Sequence, residues 1–268
     1  CRHPLFGQLD MTRLKLTLSG GMALTRSVSD EWEALTGCPI YQGYGLTEAS
    51  PVVAVSYVKG AQFGSVGQPL PLTDVRIVGE QGEALCAGEI GELYVRGPQV
   101  MSGYWQDDSA IPDADGWLAT GDIARIADDD SLRIVDRKKD IINISGFPVY
   151  PNELENIISS HVDIVECAVI GIHCPLKGQV PFGLVVIKNG VEASDEELIN
   201  ELKKKVRADI GAIASLQGLI IAERLPKTRS GKILRKTLRQ MIDGEEIEIP
   251  STIDDPDIIT ELYKQLAP

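Results

Sequence analysis

Tyr44-Gly45-Leu46-Thr47-Glu48 brings an aromatic ring, a hydroxyl and a carboxylate together directly after a short strand-like segment. A turn of that composition can serve a nucleotide. Tyr44 offers a face on which a purine stacks, Thr47 a hydroxyl for a phosphate oxygen, and Glu48 a hard anionic oxygen of the kind Mg2+ prefers. The same residues also make an ordinary glycine turn with a capping threonine. Further along, Trp117-Leu118-Ala119-Thr120-Gly121-Asp122 sets an acidic residue just past a glycine, suited to accept hydrogen bonds from ribose hydroxyls. Gly-Asp turns are common, and this one says little alone.

Two charged stretches follow. Val135-Asp136-Arg137-Lys138-Lys139-Asp140 leaves a strand as a run of charges. It reads either as a solvated turn or, lying between two differently patterned regions, as a place where Arg137 meets a nucleotide and Lys139 absorbs the rotation of a hinge. Ser145-Gly146-Phe147 comes next, and a glycine there would let an elongated thiol substrate approach the backbone. Pro226-Lys227-Thr228-Arg229-Ser230-Gly231-Lys232-Ile233-Leu234-Arg235 reads as a flexible basic loop entering a helix. Arg224, Lys227, Arg229, Lys232, Arg235, Lys236 and Arg239 form a cationic cluster in an acidic chain. Either this is a solvated helix face, or it carries a lysine that neutralises charge building on a carboxylate and an α-phosphate during attack, then withdraws.

These groups need scaffolds, and the apolar patterning supplies two. Leu14-Lys15-Leu16-Thr17-Leu18 alternates as a strand and runs into Ser19-Gly20-Gly21. Val28, Trp32 and Leu35 recur at helical spacing after Ser27, a plausible cap, and Pro39 to Tyr44 returns as a short segment. That order of strand, helix, strand predicts an α/β layer. Between Gly64 and Gly97 the texture becomes short strands parted by glycine and acidic turns, the pattern of a small barrel or sheet. Past Asp136, Pro151 can open a helix with Leu154, Ile157 and Ile158 on one face. Cys167-Ala168-Val169-Ile170 reads as a strand, Leu198, Leu202, Val206 and Ile210 mark a second helix, and Leu219-Ile220-Ile221 another strand. This is a compact α+β unit. The acidic stretch from Asp243 to Pro268 is expected to be partly loose.

Composition removes several function classes. A net charge of −13 opposes binding to a phosphate backbone, so no nucleic-acid role is expected. No window approaches the roughly 18 unbroken apolar residues of a membrane span. Cys1, Cys38, Cys86, Cys167 and Cys174 are odd in number and lack metal-ligand or disulfide spacing, and His3, His161 and His173 have no partner pattern. Reduced thiols in a cytoplasmic setting are the expectation. The start, Cys1-Arg2-His3-Pro4, is not a signal peptide and does not begin with Met, which suggests a processed, engineered or incomplete chain.

In this order the four stretches resemble the adenylate-forming superfamily of acyl- and aryl-CoA ligases, luciferases and peptide-synthetase adenylation domains, over nearly the whole chain. The resemblance implies an α/β and α+β fold. Residues 1–136 would be the back of a large adenylation domain, an α/β layer plus a small β-barrel, and residues 137–268 a small mobile C-terminal domain. It further implies that Gly20, Gly21, Tyr44 and Gly45 line an adenine pocket, that Thr47 and Glu48 meet phosphates and Mg2+, and that Asp122 and Arg137 hold the ribose. Lys139 would be the hinge, Gly146 would border a pantetheine tunnel, and Lys232 would be the catalytic lysine of adenylation.

The implied reaction joins a carboxylic acid to coenzyme A through acyl-AMP at the expense of ATP. The Ser/Thr/Gly-rich phosphate loop ending in Pro-Lys-Gly that such enzymes carry is absent here, so the resemblance implies a missing N-terminal part as partner. Tyr44 to Glu48, Gly97 to Trp105 and Val149 to Glu153 look like long-chain fatty-acyl-CoA ligases. Pro175-Leu176-Lys177-Gly178, the lysine loop and Ser251 to Asp255 look more like propionyl- and acetyl-CoA synthetases. A fatty acid is the expected substrate. An enzyme loading a carrier protein, and a nucleotide-binding module without activity, are the alternatives.

Overall fold

The computed structural model describes residues 5–22, 24, 26–56, 63–107, 111–188, 190–191 and 194–266; Cys1, His3 and the side chain of Ser27 lie outside what it describes. The chain divides into two compact units, Cys1–Lys138 and Lys139–Pro268.

In the first unit β1 (Thr17–Gly20) runs parallel to β2 (Ile40–Gly45), connected by the crossover helix α1 (Arg26–Thr36). Beyond β2, antiparallel pairing adds β3 (Val52–Val55) and β4 (Gln68–Pro69). Trp32 anchors α1 through an indole N–H that donates to Thr17 Oγ1 at 3.1 Å. Val28 and Leu35, expected beside it on the buried face, are each 52% exposed, and Leu18 of the edge strand β1 and Leu16 just before it are also exposed.

A second sheet follows the antiparallel order β5 (Asp74–Val78), β6 (Gly91–Arg96), β7 (Leu118–Ile126), β8 (Leu132–Arg137). No pairing joins β5 to β8 among the described residues, so the expected barrel is an open sheet. Four strands are too few to close around a filled interior, which takes about eight. Ile77, Leu93, Val95, Ala124 and Leu132 of this sheet share one core with Ala49, Val53 and Ala54.

The second unit contains β9 (Ile142–Ile144), β10 (Phe147–Val149), α2 (Pro151–Ser159), β11 (Ile164–Cys174), β12 (Gly178–Ile187), α3 (Asp195–Asp209), β13 (Gly218–Ile221), α4 (Arg235–Asp243) and α5 (Asp257–Leu266). β11 and β12 form a long antiparallel pair, and β13 lies parallel to β12. Successive side chains of a strand point to opposite faces. Cys167, Val169 and Val185 accordingly pack with Leu154 and Ile158 of α2 and Leu198, Leu202 and Val206 of α3. Ala168, Ile170 and Leu184 pack with Leu238 and Met241 of α4 and Ile258, Ile259 and Leu262 of α5.

Both faces are covered, which is why Cys167 to Ile170 is an unbroken apolar run without alternation. Pro151 opens α2 at its first position, and a reciprocal Ser194–Glu197 capping box opens α3. Part of the tail expected to be partly loose is tied down by α5, while residues 245–250 form no regular element. Its Ile258, Ile259 and Leu262 lie on one face of α5 and are all buried, worth roughly 2 kcal/mol each against the entropy of ordering the segment.

Candidate functional site

In the first unit strand register brings two of the candidate residues together, and a third joins them from the other sheet. Asp122 of β7 is the ladder partner of Arg137 at the end of β8, so their side chains are cross-strand neighbours. Arg137 Nε donates to Asp122 Oδ1 at 2.9 Å, and the Tyr44 hydroxyl, arriving from β2, donates to Oδ2 at 2.6 Å. The Asp122 side chain is 6% exposed while that of Arg137 is 52% exposed. Burying a carboxylate is costly unless it is paired and hydrogen-bonded, and here both oxygens are engaged. Burial, reinforced by the Asp122 charge and its hydrogen bond, pushes the Tyr44 phenol well above its ordinary value. It therefore stays a donor at every working pH. Tyr44 engages its neighbours by its hydroxyl, with its ring packed against the apolar core.

Thr47 and Glu48 sit in a single 3-10 turn, Thr47–Ala49, directly after β2. Gly45 has a local reason to be glycine: a Cβ there would collide with the carbonyl of Pro51, which also accepts the Leu46 N–H at 2.8 Å. Glu48 Oε1 accepts a hydrogen bond from the Tyr104 hydroxyl at 2.7 Å, which holds its carboxyl below the usual carboxylate range. Leu46, Glu48, Tyr104, Leu118, Thr120 and Arg137 line a cleft of about 130 Å3. That is smaller than the roughly 300 Å3 of a complete small-molecule site, and fits a part of a nucleotide such as a ribose or a phosphate. Gly20 ends β1 in register with Gly43, and Gly21 follows it.

Mg2+ can be judged from the donors present. No group of three His, Cys, Asp or Glu side chains among the described residues could hold a metal ion. A single ionised carboxylate at Glu48 fits Mg2+, which keeps water and phosphate ligands around one or two protein oxygens.

At the boundary of the units, Lys139 lies in the 3-10 turn Lys138–Asp140, and Lys138 Nζ donates to Glu92 at 2.7 Å. In the second unit, Ser145 and Gly146 are the two residues between β9 and β10, with φ of 52° and 89°. Two positive φ values are what the tight two-residue hairpin turn demands. A Cβ on Gly146 would meet nothing within 4 Å, so its backbone faces open space.

The basic segment, expected as a flexible loop, is a hydrogen-bonded turn. Thr228 N–H donates to the Lys232 carbonyl at 2.8 Å, Lys232 N–H donates to Thr228 Oγ1 at 3.1 Å, and Lys227 and Ile233 form an antiparallel bridge. The cluster of cations separates into two kinds. Arg224 is taken by Asp255 and Glu261, Lys227 by Glu166 at 2.5 Å, and Arg235 by Glu155 at 2.5 Å. Lys232 is exposed and its ammonium has no partner among the described residues, and the same holds for the side chains of Arg229 and Lys236. Pattern reading could not make that separation, because the pairing carboxylates lie far away in the chain. It also missed Tyr104, although Gly103-Tyr104-Trp105 was visible, and Thr120, whose Oγ1 accepts the Asp122 N–H at 3.1 Å.

A cleft with room for part of a nucleotide thus lies beside a tyrosine-aspartate-arginine chain in the first unit, and an exposed lysine without a partner among the described residues stands on a fixed turn in the second. Residues 2–105 match the AMP-binding enzyme family and residues 153–232 its AMP-binding enzyme C-terminal domain. The chain belongs to this adenylate-forming family. The long-chain-fatty-acid-CoA ligase of Yersinia pestis is 43% identical over 251 residues, 92% of this chain and 43% of that protein. The enzyme of the same name from Bacillus subtilis is 38% identical over 88% of this chain and 42% of its own length. ATP-bound MatB from Rhodopseudomonas palustris superposes with a TM-score of 0.78 at 29% identity, covering 85% of this chain and 45% of that one. A benzoate CoA ligase from Burkholderia xenovorans LB400 gives 0.76 at 28% identity, over 84% and 45%. The chain thus spans less than half the length of the curated relatives it matches. No helix among the described residues is long and apolar enough to cross a membrane.

Proposed function

We propose that this chain is the C-terminal part of an AMP-forming ligase that joins a long-chain fatty acid to coenzyme A, its residues 1–136 belonging to the large domain and 137–268 forming the small mobile one. The observation that carries the reading is Lys232, which is exposed on a backbone fixed by its turn and whose ammonium has no partner among the described residues; Arg229 and Lys236 are exposed and unpartnered there as well, but Arg229 presents a guanidinium and Lys236 lies within α4. Such a lysine is available to a developing anion, whereas Arg224, Lys227 and Arg235 are already neutralised.

In the first half-reaction a carboxylate oxygen attacks the α-phosphorus of ATP and pyrophosphate leaves. Lys232 offsets charge growing on the carboxylate and α-phosphate oxygens. Asp122 and Arg137 hold the ribose, Tyr44, Gly45, Gly20 and Gly21 border the adenine, and Thr47 binds a phosphate oxygen. Glu48 would hold Mg2+, which when bound supplies charge neutralisation at the phosphates. In the second half-reaction the thiol of coenzyme A attacks the acyl carbonyl and AMP leaves. Gly146, with open space over its backbone, would border the path of the pantetheine arm, and Lys139 would be the hinge that turns the small domain between the steps.

The edge strand β1, parallel to β2 and with Leu18 and the preceding Leu16 exposed, supports completion of the layer by an upstream part of the same enzyme, because parallel sheets normally have both faces covered. Cys38, Cys86, Cys167 and Cys174 are free thiols, which fits a cytoplasmic protein.

Mass spectrometry of acyl-AMP and acyl-CoA tests this, using ATP, Mg2+, coenzyme A and acids of graded length, with the chain alone and with the upstream part of a long-chain ligase. We expect both products only with the upstream part, and loss of acyl-AMP in Lys232→Ala while that exposed substitution shifts stability by less than about 0.5 kcal/mol. Absence of product in both settings would leave a nucleotide-binding module, and transfer to a phosphopantetheinyl carrier in preference to coenzyme A would change the acceptor.

A further inference from the structure

The turn carrying Lys232 is held from outside by a segment beyond the residues that match the C-terminal domain, which end at Lys232. Thr228 and Ile253 form an antiparallel bridge. Arg229 N–H donates to the Thr252 carbonyl at 3.1 Å, and Asp254 N–H donates to the Lys227 carbonyl at 2.9 Å. Ile253 is buried in the same cluster as Leu225 and Leu238. Arg224 fastens the segment through its side chain. Nε and Nη2 donate to the two carboxylate oxygens of Glu261 at 2.9 Å each, and Nη1 donates to Asp255 Oδ2 at 2.6 Å. A planar guanidinium fork makes this two-pronged match, and an ammonium cannot.

We infer that residues 250–262 are a strap that sets the position of the Lys232 turn, and that Arg224 is its positioning residue. Because the Lys232 ammonium has no partner of its own, its place is inherited from the backbone of the turn, and the strap is what the outer strand of that turn pairs with. An ångström of misplacement in a reacting constellation can cost about 100-fold in rate. The link to catalysis rests on the ligase reading above, while the strap itself does not.

The first measurement is amide hydrogen exchange on the full chain, wild type against Arg224→Ala, with Asp255→Asn as a milder variant that keeps the Glu261 fork and remains informative if Arg224→Ala misfolds. Losing two exposed but geometrically matched ion pairs should speed exchange at Arg229 and Asp254 about tenfold in Arg224→Ala, and less in Asp255→Asn, with β11 and β12 amides unchanged. No acceleration at those two amides, or an equal acceleration throughout β11 and β12, overturns the strap.

The second measurement adds the upstream part. Arg224→Ala should lower kcat for acyl-AMP formation with the KM for ATP unchanged, leave thioester formation from preformed acyl-AMP intact, and be only partly rescued by Arg224→Lys. Faster exchange with undiminished acyl-AMP formation would refute the positioning role. If Lys232→Ala itself left acyl-AMP formation intact, the ligase assignment would fail, and with it the catalytic consequence, leaving the strap to stand or fall on exchange.

Discussion

Asp122 offers a comparison in which the formally weaker partner should matter more. Arg137 brings a full charge to Oδ1 at 2.9 Å, but its side chain is 52% exposed, so water can take over that oxygen when the guanidinium is removed. An exposed pair contributes about 0–1 kcal/mol. Tyr44 brings only a hydroxyl, to Oδ2 at 2.6 Å, but from the buried side, and a hydrogen bond to a charged group contributes about 1.5–3 kcal/mol. We therefore expect Tyr44→Phe to cost about 2 kcal/mol and Arg137→Gln less than about 1 kcal/mol. All three tryptophans, Trp32, Trp105 and Trp117, lie in the first unit, so urea unfolding followed by tryptophan fluorescence reports that unit selectively. With a urea slope of about 1–3 kcal/mol/M, the Tyr44→Phe midpoint should fall by about 1 M.

The pH dependence has a definite sign. The folded phenol lies above its unfolded value near 10, so its contribution is complete below about pH 10 and declines above it as the unfolded chain ionises. The gap between wild type and Tyr44→Phe should thus be equal at pH 6 and pH 8 and shrink above pH 10. An Arg137→Gln loss as large as that of Tyr44→Phe would refute the reasoning, since it would show that solvent does not reach Oδ1.

Two further predictions concern the second unit. Glu155 and Arg235 are 13% and 20% exposed, and Glu155 also accepts the Val169 N–H at 2.8 Å, so Glu155→Gln strands a mostly buried guanidinium. We expect a loss of about 3 kcal/mol in thermal melts followed by far-UV circular dichroism, and a change under about 1 kcal/mol would show that the pair is solvated. Burial, followed by the nearby Glu155 charge, pushes the Cys167 thiol up to about 12, while Cys86 is exposed. Alkylation at pH 8 should label Cys86 and spare Cys167 until the unit unfolds, and equal labelling rates would contradict the burial. Because the folded thiol sits above its unfolded value near 9, its contribution to stability is whole below that pH and diminishes above it.

Much of the second unit is readable without coordinates, because its signals are local. Pro151 fixes φ at a helix start, Leu198, Leu202 and Val206 recur with the helical period, and an apolar run without alternation at Cys167 to Ile170 already implies cover on both faces. The types and order of the candidate residues, from Tyr44 to Lys232, are equally local, and they place the chain in its family.

Tertiary structure decided the rest. Periodicity predicts that Val28 and Leu35 share a face with Trp32, but whether that face is covered depends on a neighbour that the helix itself does not encode. Short strands between glycine turns suit a barrel or a sheet alike, and it is the lack of any pairing between β5 and β8 among the described residues that leaves the sheet open. Tyr44 and Asp122 are separated by 78 positions and stand on strands of two different sheets, so the contact that unites them follows from the packing of those sheets. The cations near Lys232 look alike in sequence. Which of them are neutralised depends on Glu155, Glu166, Asp255 and Glu261, carboxylates brought near by packing from distant parts of the chain, and charge pairing is a matter of distance in space.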